Sequence, residues 1–191
     1  TLVAQEISVV GLTNYFKFDD RDYQLAEKLR EKGITTFMNL ELRLTNLNDS
    51  NMLSDYHVIF SDKLSKEEIN NFLSNLDITI GTGKKKINLL TVEEIEKKAA
   101  INFEELFKTL QNESLHLKGK YLTAFLSRGH GNSVCGKGRG HTVYEEIVRK
   151  SDLVVNSTDF KERLEDDQLY WLGKTSHENK YIKPLLQSSD A

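Results

Sequence analysis

Ile7-Ser-Val-Val-Gly-Leu12, the span Arg21–Lys32, Gly33 and Ile34-Thr-Thr-Phe-Met-Asn-Leu40 together form the stretch that sets the fold class. The first and last pieces are apolar and β-branched, which suits strands. Between them, Tyr23, Ala26 and Leu29 share one face of a helix that Asp20 is placed to cap. Gly33 provides the helix stop. Strand, helix, strand in this order is a βαβ opening, and it implies two parallel strands joined by a crossover helix.

The same alternation continues along the chain. Tyr56–Phe60 reads as a third strand. Ser65-Lys-Glu-Glu68 is a capping box for a helix that runs to about Leu76, and Asp77–Ile80 is a short strand. Ile87–Leu90 reads as a further strand, Thr91-Val-Glu-Glu94 as a second capping box, and Asn102-Phe-Glu-Glu105 as the start of another helix. Lys120–Ser127 is a strand, Thr142–Lys150 a helix and Leu153–Val155 a strand. Asp159–Leu172 is a helix stopped by Gly173, with Tyr170 and Trp171 packing on the core. The expectation is a single α/β domain over residues 1–187, a mostly parallel or mixed sheet flanked by helices, with a polar tail at 188–191. The alternative is an α+β arrangement in which Ile87–Leu90 and Leu153–Val155 are antiparallel edges.

Composition narrows the function classes. Of the 191 residues, 38% are hydrophobic and 29% charged, with a net charge of −3. That balance belongs to a globular chain without a global basic footprint, so nucleic acid is not the expected partner. No apolar run is long enough to span a membrane. A single cysteine excludes an internal disulfide and a Cys-rich zinc site, and no other metal-ligand set is evident. The expected location is the cytoplasm, or a host cytosol for a secreted effector. The chain starts at Thr1 and reads as a processed product or a piece of something larger, without a signal-peptide pattern in Thr1–Glu6.

Chemistry concentrates in Ser127-Arg-Gly-His-Gly-Asn-Ser-Val-Cys-Gly-Lys-Gly-Arg-Gly-His-Thr142, which holds five of the eleven glycines and no acidic residue. The run falls between a strand and a helix, where glycine N–H groups and the helix dipole favour an anion. Arg128, Lys137 and Arg139 supply the charge. Gly129, Gly131, Gly136 and Gly138 let the backbone approach the ligand. His130 or His141 would transfer a proton if chemistry follows. Gly131-Asn-Ser-Val-Cys-Gly-Lys137 matches the phosphate-loop spacing, but Gly138 stands where a magnesium-holding Ser or Thr belongs. The reading is therefore a looser site for a phosphate-bearing, nucleotide-like ligand in a transferase or hydrolase. The bland alternative is a surface loop whose charges are solvated.

Two other functions compete. Cys135 is a candidate nucleophile, with His130, His141, His57, His116 or His177 as its partner. Phe125-Leu-Ser-Arg128 and Val155-Asn-Ser-Thr158 compare with the Arg and Ser-Thr-Ser strands of NAD-dependent ADP-ribosyl transferases, which would make NAD the cofactor of a toxin-like enzyme. Glu162, Glu165 and Glu178 do not form the Glu-x-Glu that those enzymes carry. A non-catalytic domain whose basic loop docks on an acidic protein is the third reading.

Smaller features have plainer explanations. Glu41, at the end of the second strand, is an ordinary surface carboxylate, because Gly11-Leu-Thr-Asn-Tyr15 lacks a dinucleotide fingerprint. Gly81-Thr-Gly-Lys84 with Lys85 and Lys86 is a hairpin turn with solvated lysines, and extends the anion site only if it shares its sheet edge. Asp19, Asp20 and Asp22 suit a helix N-terminus. Glu162, Glu165, Asp166 and Asp167 form an acidic helix face. His177 beside Glu178 is a weak general-base candidate.

Overall fold

A computed structural model describes residues 6–47, 53–129, 141–157, 169–174 and 180–187. It shows a mixed six-stranded sheet of order β1-β2-β3-β7-β8-β9 and a three-stranded sheet of order β5-β4-β6, with flanking helices. The strands are β1 (Val9–Tyr15), β2 (Thr35–Leu47), β3 (Leu53–Phe60), β4 (Asp77–Ile80), β5 (Gly83–Lys86), β6 (Ala99–Ala100), β7 (Tyr121–Gly129), β8 (Leu153–Ser157) and β9 (Leu185–Gln187). The helices are α1 (Asp20–Arg30), α2 (Lys66–Asn75), α3 (Val92–Lys97), α4 (Phe103–Leu110) and α5 (His141–Lys150). Two compact units divide the chain: Thr1–Leu42 with His57–Leu122, and Arg43–Tyr56 with Thr123–Ala191.

In the first unit the βαβ opening is present, with β1 parallel to β2 in the register Val9↔Thr35 to Tyr15↔Glu41. The helix cap sits one residue earlier than expected. Asp19, not Asp20, accepts from the Arg21 and Asp22 N–H groups, and Asp22 returns the bond to the Asp19 N–H at 2.7 Å. Ala26 is buried, and Gly33 ends the turn at φ +78°. β2 does not stop at Leu40. Thr36, Met38, Leu40, Leu42 and Leu44 are all buried at a spacing of two, so Glu41 lies inside a strand rather than at its end. Phe60 joins the helices to the sheet, edge-on to Phe18 at 6.5 Å and to Phe72 at 5.5 Å.

The expected strand at Ile87–Leu90 is instead a 3₁₀ turn over Ile87–Leu89. Ile87 and Leu90 are both buried, and an i, i+3 pair of anchors fits a three-residue turn better than a strand. The strand is the preceding Gly83–Lys86, antiparallel to β4 through the Gly81-Thr82 turn. Its lysines are engaged rather than merely solvated: Lys84 with Glu105, Lys85 with Glu94, and Lys86 with Asp77 at 2.8 Å. β6 pairs with β4 from the other side.

In the second unit β8 lies between β7 and β9 and is parallel to both, so it is not an antiparallel edge. Thr123, Ala124, Phe125 and Leu126 are all buried, as expected of a strand covered on two faces. Phe125 meets Trp171 edge-on at 5.4 Å, and Trp171 is buried. The strand β9 has no counterpart in the sequence reading. Residues 158–168 lie outside the described residues, and with them most of the expected helix Asp159–Leu172, including Glu162, Glu165, Asp166 and Asp167.

Candidate functional site

The candidate loop leaves β7 and enters α5. Its residues 130–140 lie outside the described residues, and so do the side chains of Arg128, His141 and Thr142. This covers His130, Gly131, Cys135, Gly136, Lys137, Gly138 and Arg139. The frame on either side is described. Arg128 pairs with Asn156 and Gly129 with Ser157, at the carboxyl ends of parallel strands. Gln187 of β9 pairs with Asn156 from the other side. His141 opens α5. The loop is thus the strand-to-helix connection of a β7–α5–β8 unit, the position where open α/β sheets bind ligands.

The register slips between Leu126 and Arg128, so Ser127 is an extra residue in β7. Bulges of this kind change the direction of the chain beside functional loops. Ser127 Oγ donates to Val155 O at 3.4 Å across the irregularity. At the opposite end, Asp152 Oδ2 accepts from the Thr123 N–H at 2.8 Å and from Thr123 Oγ1 at 2.9 Å. These contacts clamp the turn between α5 and β8 to β7. Tyr56 and Ser151, both buried, share a bond of 2.8 Å. Lys183 Nζ donates to the carbonyls of Ser151 and of Arg149. Burial lowers the Lys183 pKa, against the opposing pull of Asp152.

No family model matches the chain, and no curated protein matches it.

The remaining candidates are dispersed. His57 is half-buried, its Nδ1 3.2 Å from Asn39 Nδ2, which also donates to Thr13 Oγ1 at 2.8 Å. His116 caps a 3₁₀ turn in the left-handed region at φ +51°, beside a cavity of about 650 Å³ that Glu113, Lys118 and Tyr121 also line. His177 and Glu178 lie outside the described residues. The Gly81–Lys86 hairpin belongs to the three-stranded sheet, so it does not share a sheet edge with the loop. Among the described residues, Asp19 pairs with Arg21 at 2.7 Å and Asp20 with Lys66 at 2.9 Å, while Asp22 accepts from Asn14 at 2.6 Å. These carboxylates serve the helix start.

Sequence reasoning missed the buried polar residues of the second unit, which among the described residues are Ser54, Asp55, Thr123, Ser151 and Asn156. Asn156 is fully buried, one residue before the end of β8. Each has a polar or ring interaction in the folded chain. A polar side chain buried in a strand is retained only when its bonds are made. The available sequence signal was the polar break Asn156-Ser157 after Leu153-Val-Val155.

Proposed function

We propose that the chain binds a phosphate-bearing, nucleotide-like ligand at residues 128–142 and acts on it as a transferase or hydrolase. The observation that supports this is the parallel β7–α5–β8 unit, in which β7 runs into the glycine-rich loop and its last residue, Gly129, lies beside Ser157, the last of β8. The α5 N-terminus adds a favourable dipole, and Arg128, Lys137 and Arg139 add charge. His130 and His141 bracket the loop as proton-transfer groups, and Cys135 is a secondary candidate.

The test is calorimetry at low salt with a nucleotide panel and inorganic pyrophosphate. Replacing Arg128, Lys137 or Arg139 by Ala loses a charged hydrogen bond of roughly 1.5–3 kcal/mol, about ten- to a hundredfold in affinity. A triple-Ala variant that binds like the parent overturns the proposal. Cys135→Ser leaves the function in place. A loss of about a thousandfold with the fold intact would move the assignment to a thiol enzyme.

One observation favours a second reading. Phe125–Arg128 and the described part of Val155–Thr158, up to Ser157, lie on neighbouring parallel strands. Under that reading the ligand is NAD and the product is free nicotinamide. Its absence after prolonged incubation with NAD counts against it.

A further inference from the structure

β1 is an end strand of the six-stranded sheet, with β2 on one side and, among the described residues, no strand on the other. In a parallel ladder only alternate residues turn their backbone groups to a given neighbour. Both ends of the β1–β2 ladder show which ones. The Thr35 N–H donates to Ser8 O at 2.9 Å, and the Phe16 N–H donates to Glu41 O at 3.0 Å. The register is continuous between these points, so the even-numbered residues face β2. Val9, Gly11 and Thr13 therefore turn their N–H and C=O groups to the open edge.

Proteins usually blunt such an edge with charge, proline, a bulge or a covering segment. The stretch Ile7–Phe16 has no charged residue and no proline, and its ladder has no bulge. Gly11 needs a separate explanation. A Cβ added there would meet nothing within 4 Å, and its φ is not left-handed. Among the described residues nothing asks for glycine at this position, where it weakens the strand. A glycine inside a strand marks a bulge, a bend or the close approach of a ligand or another backbone, and the β1–β2 register runs through Gly11 without a bulge.

We propose that the open edge of β1 pairs antiparallel with β1 of a second copy, with the two-fold axis at Gly11. In this register Val9 faces Thr13 of the partner subunit and the two Gly11 residues face each other. Each facing pair exchanges both of its N–H···O bonds. The same patch serves both subunits, as a two-fold interface requires. Val9 and Thr13 form β-branched cross-strand pairs on either side of the axis. A strand with no charge does not select a charged partner, whereas an antiparallel register about one residue makes the edge complementary to itself. One strand pair falls short of the roughly 1,200 Å² of a stable complex, so dimerisation depends on concentration.

Sedimentation equilibrium of the full chain tests this. The apparent mass should rise from the 21.9 kDa of the monomer towards twice that value as concentration increases. Gly11→Pro removes an outward N–H without removing a bond to β2, and Val9→Lys adds an edge charge at an exposed position. Each should weaken the dimer at least about tenfold, equivalent to 1.4 kcal/mol, with the circular dichroism spectrum unchanged. In a Cys135→Ser background, Gly11→Cys should cross-link on mild oxidation, because facing residues lie about 5.5 Å apart at Cα, within disulfide reach. A monomer at every concentration overturns the proposal. So does a dimer unaffected by both variants, or a failure of Gly11→Cys to cross-link.

Discussion

At the residue scale, the second unit depends on a few buried polar contacts. Tyr56 and Ser151 are 95 positions apart in sequence and share one bond, while Ser151 Oγ donates to Ile147 O at 2.6 Å. Ser151 has one proton and gives it to Ile147, so Tyr56 is the donor to Ser151. Tyr56→Phe removes that donor without leaving the serine proton unbonded. The expected cost is about 1 kcal/mol, the net worth of a neutral hydrogen bond, read as a shift in the urea midpoint at constant slope. Tyr23 in the first unit is different. Burial holds its phenol well above the usual range, with Asp22, Glu67 and Asp20 adding to the effect. Tyr23 should therefore stay protonated when exposed tyrosines ionise, which an ultraviolet titration would show.

At the element scale, α4 illustrates how a short helix is held. Eight residues are too few for a stable isolated helix in water. Burial of Phe103, Leu106, Phe107 and Leu110 provides most of the stability, and Asn102 closes the N-terminus by accepting from the Glu104 and Glu105 N–H groups at 2.9 and 3.2 Å. Asn102→Ala should cost about 1 kcal/mol. Phe107→Ala should cost about 3–5 kcal/mol, because it opens a cavity beside Phe103, whose ring centre is 4.7 Å away. Thermal melting of the two variants should rank them in that order. If the cap variant were the worse of the two, the helix would be held by its end rather than by its face.

At the scale of the whole molecule, acid should weaken the protein at three paired carboxylates. Glu68 lies below the ordinary value of 4.5, held there by the Ser65 N–H and then by Lys120. Glu94 is lowered by Lys85 and then by the Thr91 N–H, and Glu146 by Lys150. A carboxylate with a depressed folded-state pKa adds stability that is complete above its unfolded value. That stability is lost as pH falls through the folded value. The denaturant midpoint should thus hold steady above about pH 6 and decline below the ordinary carboxylate range. The Glu94→Gln variant should start lower and decline less steeply. These groups are exposed, so each effect is small and should shrink in salt.

Local signals were the legible part of this chain. Ser65 with Glu68 and Thr91 with Glu94 form the expected capping boxes, because a cap needs only residues within one turn. The strand at 120–127 and the helix from 142 were readable from their apolar spacing, and so was the place of the glycine-rich loop between them. β5 was not legible, because its three lysines conceal a strand that exists by pairing with β4 and with acidic partners. β9 is three residues long and has no periodicity, and pairing with β8 alone makes it a strand. By itself, then, the sequence determined the capped helices, the longer apolar strands and where its basic glycines cluster, since these depend on neighbours along the chain. Only the tertiary structure decided the order β1-β2-β3-β7-β8-β9, the common edge at which Gly129, Ser157 and Gln187 end, and the strand left open at β1. Those outcomes depend on hydrogen bonds between residues far apart in the chain, and no local pattern encodes such a partner.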